Sequence, residues 1–288
     1  GWAVSIVNSK ELLYNNAFGY SQVEKKIPYT FKTVQNLASI SKTFIGFSLM
    51  KLVEQKKLDI DTSVNEILPF KISNPYYPDL PITIRHLATH TSTINEQKFY
   101  PKAYILLDKT VLDKYGYHKY FLKELERAAK NERISLPDYL KAYLSVDGKQ
   151  FKKKHFFKKE PADDWYYSNV GATLAAYIVE LVSGQPYKEY VTTNIIKPMG
   201  LESAAWLGEV KDKFEQTTQY DSKGNPLPDR TIITYPDGGI FMNAYDLSQY
   251  MMHFIRANVG QDGILKSASI KELMKVQHEQ KQGKFKGR

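Results

Sequence analysis

The 288-residue chain contains no cysteine, which excludes disulfides, thiol nucleophiles and thiolate metal sites. It has no uninterrupted apolar run of about 18 residues, the length that reads as a membrane-spanning helix. Internal repeats and low-complexity tracts are missing too, so solenoid and filamentous architectures are not expected. The chain opens Gly1-Trp2-Ala3 with neither an initiator Met nor a basic-then-apolar leader, an absence that is silent on location. A cysteine-free chain suits an oxidising envelope compartment as well as a cytoplasm.

What is present belongs to an ordinary globular protein. Apolar residues make up 42% and charged residues 25%, enough for a full core in one large domain or two subdomains sharing an interface. Lys and Arg number 40 against 31 Asp and Glu, a net charge of +9, and the excess is concentrated. Residues 101–160 hold 15 basic and 8 acidic side chains, a local +7, including Lys152-Lys153-Lys154 and Lys158-Lys159. Two readings stay open: a solvated helical face with a basic loop, or a surface that attracts an anionic envelope polymer or lipid. No nucleic acid partner is expected, because no zinc-finger, RNP or helix-turn-helix signature accompanies the charge.

Alternation over residues 2–7 and 12–14, joined by Asn8-Ser9-Lys10-Glu11, predicts a β-hairpin. From Ser39 to Gln55 apolar residues cover most of a helical circumference, which predicts a deeply buried helix. Residues 102–146 read as helical, broken near Pro137. A small-residue helix is expected from Val170 to Val182, stopped by Gly184. Pro236-Asp237-Gly238-Gly239 predicts a tight turn, and Asn243 the N-cap of a helix over 247–255.

Two short motifs carry chemistry. Leu37-Ala38-Ser39-Ile40-Ser41-Lys42 contains S-x-x-K, which at i and i+3 of a first helical turn sets hydroxyl and amine on one face. The Lys42 amine can then accept or relay the Ser39 proton, while the helix N-terminus and the Ser39 N–H favour negative charge on an attacked carbonyl. S-x-x-K alone also fits a capped buried helix. Trp165-Tyr166-Tyr167-Ser168-Asn169 contains Y-x-N: in an extended segment Tyr167 and Asn169 share one side. There a phenol can shuttle protons and an amide can bind both the Lys42 amine and a substrate carbonyl. An aromatic-rich helix entry is the plainer alternative. His86 and His90, four apart, lack the Glu of H-E-x-x-H and a third ligand, so packing rather than metal is expected of them.

The ordered landmarks at 37–42, Leu87-Ala88-Thr89-His90-Thr91-Ser92, 161–169 and Pro236-Asp237-Gly238-Gly239-Ile240 resemble class C β-lactamases and their relatives, the low-molecular-mass D,D-peptidases and family esterases. The hairpin, the segment 58–69 and Ile196-Lys197-Pro198-Met199-Gly200-Leu201 are similar to that family too. The resemblance runs from residue 1 to about 277, interrupted by the basic insert. It implies a β-lactamase/transpeptidase-like α/β (α+β) fold, an antiparallel sheet flanked by helices plus a mostly helical domain. The expected division is an α/β part at 1–58, a helical domain at 59–244 with the insert at 101–160, and a return towards the α/β part at 245–288.

The resemblance further implies an acyl-enzyme route in which Ser39 attacks, Lys42 and Tyr167 handle protons and Asn169 binds substrate. No Glu is assigned a role, and no metal or organic cofactor is implied. The substrate is expected to be a small molecule or peptide with an amide or ester bond, and the location periplasmic, secreted or envelope-associated. A catalytically silent scaffold of the same fold and a broad esterase are the rival readings. Three departures stand out. The family's third motif, K-[ST]-G or H-x-G, has no convincing counterpart; Lys281-Gln282-Gly283 falls too early, so the last strands of the sheet are expected to be absent from this chain. Thr93 follows the T-H-T-S stretch where the family has Gly, and Pro161-Ala162 stands where it has Pro-Gly.

Overall fold

The computed structural model describes residues 1–112, 116–210 and 214–278. Strands β1 (Trp2–Val7) and β2 (Leu12–Phe18) form the expected antiparallel hairpin, Trp2 opposite Phe18 and their rings stacked at 4.6 Å. Short strands β3 (Tyr20–Gln22) and β4 (Ile27–Pro28) pair next, and β5 (Gln35–Asn36) leads into the S-x-x-K segment. Helix α1 spans Ser41–Glu54 and α2 Ile84–Ala88.

Strand β6 (Tyr104–Leu106) precedes helices α3 (Lys119–Lys130) and α4 (Leu136–Leu144). Helix α5 (Asn169–Ser183) follows, then α6 (Tyr187–Val191), which continues into a π-helical turn. Strands β7 (Ala205–Trp206), β8 (Arg230–Ile232) and β9 (Ile240–Met242) precede α7 (Ala244–Asn258) and α8 (Ser267–Met274). No helix among the described residues is long and apolar enough to cross a membrane.

The fold is mixed α and β, and among the described residues the named strands pair antiparallel in four small sheets: β1-β2, β3-β4, β5-β9-β7 and β6-β8. The centre is helical. Phe44, Ile45, Phe47, Leu49 and Leu52 of α1 are almost fully buried, each such side chain contributing about 1.5–3 kcal/mol. One side of α1 meets α5, whose Gly171, Ala172, Ala175 and Ala176 permit close approach. On another side Phe44 and Phe47 pack against Tyr250 of α7 at 4.5 and 5.4 Å. Helix α7 in turn carries the hairpin, through Ser5 Oγ to the Ala244 carbonyl and Arg256 Nε to the Ser9 carbonyl.

Local capping is as expected. Gly184 closes α5 in the left-handed region (φ 69°), and Asn243 Oδ1 accepts the Asp246 N–H at 2.8 Å. One stretch departs from expectation. Residues 102–146 are not continuously helical: residues 100–103 form a 3-10 turn, and Tyr104–Leu106 become β6 because they pair with β8. Pro137 does not break a helix but sits in the first turn of α4, where its missing N–H costs nothing, behind a Ser135 cap.

The two positions that depart from the family's glycines keep a glycine-like backbone: Thr93 has φ 65° and Ala162 φ 71°. A non-Gly residue there carries about 1–2 kcal/mol of local strain. Thr93 offsets part of it by accepting from Asn74 Nδ2 at 2.9 Å through its buried hydroxyl.

Candidate active site

The site begins with a weld between two distant segments. The Leu37 N–H donates to the Ile240 carbonyl, the Ile240 N–H to Ser41 Oγ, and Asn36 Nδ2 to the Gly238 carbonyl. Asn36 Oδ1 also accepts the Ala38 N–H, holding Ala38 at φ 46°. Strain at the residue before an exposed Ser is a device for presenting that side chain. The turn after Pro236 needs its second glycine: a Cβ on Gly239 would lie 2.6 Å from the Tyr235 carbonyl oxygen. Ser39 therefore sits in a 3-10 turn over Ala38–Ile40, which runs directly into α1 at Ser41.

Around Ser39 Oγ the motif residues converge. Lys42 Nζ donates to it at 3.1 Å and to the Asp237 carbonyl at 2.6 Å. Tyr167 OH lies 2.8 Å from Ser39 Oγ, across 128 residues of sequence. The ammonium also sits over the Tyr167 ring, 5.1 Å from its centre. Ser39 and Tyr167 are both exposed, so a substrate can reach them.

His90 supports this arrangement rather than joining it. Its ring packs on Tyr167 at 4.5 Å, and its Nδ1 accepts the Ser168 N–H at 3.2 Å. Burial, reinforced by the Lys42 charge, pushes the imidazole down to about 4, which leaves it neutral and able to accept at neutral pH. His86 has its own structural task, accepting the Thr83 N–H at the start of α2.

Asn169 makes a contact that its expected substrate-binding role does not include. It is the first residue of α5, and its amide donates to Glu96 Oε1 at 2.7 Å; among the described residues it makes no hydrogen bond to Lys42. Glu96 was not anticipated at all. Its buried carboxylate also accepts Ser168 Oγ at 2.7 Å and the Val170 N–H at 2.6 Å, clamping the segment that presents Tyr167. The only sequence signal was position: a lone acidic residue in Thr93-Ile94-Asn95-Glu96, just past the T-H-T-S stretch.

Removing three charge-assisted hydrogen bonds and orphaning buried donors makes Glu96→Ala lose about 2–4 kcal/mol. Glu96→Gln keeps the volume and one accepting oxygen, but sets its NH2 group against one or two of the three donors. It is expected to melt closer to wild type and still label slowly at Ser39. Urea midpoints beside labelling rates check this; a Gln variant that labels at the wild-type rate removes Glu96 from the site.

A second carboxyl lies beneath Lys42. Asp237 is 3% exposed; its Oδ1 accepts from Tyr100 OH at 3.1 Å and its Oδ2 from Thr173 Oγ1 at 3.4 Å. Burial raises it to about 6, against the opposing pull of the Lys42 charge. Tyr104 OH donates to Tyr100 OH at 3.2 Å, and burial raises both phenols. These rings line a cavity of about 640 Å³ that opens onto Ser39. Lys281-Gln282-Gly283 lies outside the described residues.

Known proteins resemble the chain in sequence and in fold. The family model described as Beta-lactamase matches residues 1–287. Penicillin-binding protein 4* of Bacillus subtilis (strain 168) is 27% identical over 191 residues, 66% of this chain and 34% of its own length. Protein flp of Staphylococcus aureus (strain MW2) is 25% identical over 257 residues, 88% of this chain and 42% of its own length. The structure of the octameric penicillin-binding protein homologue from Pyrococcus abyssi superposes with a TM-score of 0.71 at 26% identity, covering 93% of this chain and 55% of that one. The chain thus spans between a third and a half of the curated relatives it matches. By the match along its length and by its fold, the chain belongs to the beta-lactamase family.

Proposed function

We propose that this chain is a serine hydrolase forming an acyl-enzyme at Ser39, acting on an amide or ester bond of the β-lactam, D-amino-acid peptide or ester class. The observation that carries the reading is one oxygen, Ser39 Oγ, exposed and within hydrogen-bond reach of both an amine and a phenol. Attack on a carbonyl carbon forms the Oγ–C bond and releases the Oγ proton. Whichever of Lys42 and Tyr167 has first given up its own proton takes it, and because the two flank the same oxygen the proton can pass on to the departing amine or alkoxide. The Ser39 N–H, at the start of a helical turn where such groups lack intrahelical partners, faces the developing oxyanion. Water then attacks the acyl carbon by the same proton route in reverse. Asn169 retains an amide hydrogen and a carbonyl oxygen for substrate. The similarity to penicillin-binding proteins supports an envelope-associated location for the chain, periplasmic or secreted.

The test is covalent. A fluorophosphonate and a penicillin are each expected to leave an adduct mass on the peptide containing Ser39. Absence of both adducts from folded protein favours the silent scaffold, and the fluorophosphonate adduct alone favours the esterase.

The basic loop supports an anionic envelope polymer as partner. Lys152, Lys153, Lys154 and Lys158 are exposed, while Lys159 is engaged by Asp163 and Asp164. The loop runs along the wall that presents Tyr167: the Phe157 N–H donates to the Thr93 carbonyl, and its ring stacks on Tyr166 at 4.0 Å. Changing those four lysines to Gln is expected to weaken binding to cell-wall sacculi about tenfold at low salt, with neutral-ester hydrolysis unchanged. Equal binding leaves a merely solvated face, and a loss confined to anionic lipid vesicles assigns a membrane instead.

A further inference from the structure

Resting on the hydrolase reading above, we infer that Arg230 is a specificity residue that recognises an anionic oxygen group, carboxylate or phosphate, carried by the substrate at a distance from the scissile bond. Arg230 opens β8 and lines the same cavity as Ser39. It stands opposite Leu106 in the β6-β8 ladder, which places Tyr104 diagonally across on the same face, within reach of a long side chain. The guanidinium indeed lies over the Tyr104 ring, 5.1 Å from its centre.

That ring is itself held. The hydrogen-bonded run from Tyr104 through Tyr100 to Asp237 ends on the residue whose carbonyl accepts from Lys42. Arg230 is therefore set in a fixed relation to the nucleophile by three buried or half-buried side chains. The contact with the ring face holds the guanidinium in place but uses none of its five N–H donors. Among the described residues it forms no ion pair and no side-chain hydrogen bond.

Of the acidic side chains lining the cavity, Glu215, Asp229 and Asp237, none forms an ion pair with Arg230 among the described residues. Glu215 accepts from Ser21 and Thr33, and Asp237 from Tyr100 and Thr173. A positioned guanidinium with no ion pair among the described residues, in the wall of the cavity that holds Ser39, matches a planar or tetrahedral oxyanion that can accept two parallel hydrogen bonds. Lys25, lining the same cavity, adds charge of the same sign.

Aryl esters of one acyl length ending in methyl, carboxylate, phosphonate or ammonium test the inference. The expected readout is the ratio of kcat/KM for anionic over neutral ester, carried mainly by KM. This ratio falls about tenfold or more in Arg230→Gln, the scale of a lost charge-assisted hydrogen bond. In Arg230→Glu the preference turns towards the ammonium ester. A fall for both anions means that charge is read; a fall for one alone names the group. Ratios equal across the three proteins overturn the inference. If no ester turns over, the hydrolase reading has failed, and equilibrium binding of glutarate and of 4-phosphonobutyrate to wild type and Arg230→Gln decides separately. Binding weakened about tenfold by the substitution supports the anion site. Equal binding, or none to either protein, overturns it.

Discussion

Ser39→Ala is expected to abolish adduct formation, lowering acylation by about 10⁴ or more, while the fold survives with a stability change below about 1 kcal/mol. The two halves of this expectation come from different observations. The chemical half follows from convergence, since Lys42 and Tyr167 both aim at that single oxygen and the variant leaves them nothing to activate. The structural half follows from what the hydroxyl does not do. Ser39 caps nothing: the 3-10 turn it occupies has Leu37 as its N-cap, with no side-chain cap bond, and Ser39 itself is exposed. The weld that builds the turn runs through Asn36, Leu37 and Ser41, all untouched by the change. Labelling rates with a fluorophosphonate, measured beside urea unfolding midpoints, check both halves. Labelling at the wild-type rate would show that another residue is the nucleophile; loss of labelling together with loss of folding would leave Ser39 with a structural duty the geometry does not reveal.

Features written in consecutive residues were legible in the sequence. S-x-x-K, Y-x-N, the Asn243 cap and the Gly184 stop each depend on residues within four positions of one another, where spacing translates directly into geometry, and the hairpin on alternation either side of a short turn. The small-residue stripe of α5 and the apolar circumference of α1 likewise announced that these helices are buried. What stayed hidden depends on long-range partners. Glu96 matters because the chain returns 72 to 74 residues later with three donors. Asn36 matters because Gly238 arrives 202 residues later. Little in the neighbouring residues marks either one, since a carboxylate or amide has the same local pattern whether it is solvated or clamped by a distant segment.

The misreading of residues 102–146 has the same root. Tyr104–Leu106 are only three residues long, and their extended conformation is set by β8, more than a hundred positions away. Pro137 was informative but ambiguous: proline ends a helix that precedes it and starts one that follows, and the Ser135 cap is what decides between the two. The departures at Thr93 and Ala162 carry a further lesson. Both keep the left-handed backbone that glycine would adopt without strain, so the turn geometry outlasts the residue best suited to it.

Lys42→Ala and Tyr167→Phe are each expected to cut acylation by about 10² or more, and the double variant to lose little beyond the worse single one. Tyr167→Phe is a clean deletion of one oxygen. The ring keeps its contact with His90 at 4.5 Å and its place beneath the Lys42 ammonium, so the segment held by Glu96 has no reason to move. Lys42→Ala removes the amine and frees the Asp237 carbonyl, which can turn to water in the cavity that already contains it. Each single change breaks the same three-centre arrangement of amine, hydroxyl and phenol. Once one proton carrier is gone, the other has no relay to complete, and its removal costs far less than it does in the intact site. A double-mutant cycle on the rate of acylation measures this directly. A coupling of about 1 kcal/mol or more between the two positions marks one proton-transfer unit. Additive losses of a few-fold each would mean that Lys42 and Tyr167 only shape the pocket, and that the Ser39 proton leaves by some other path.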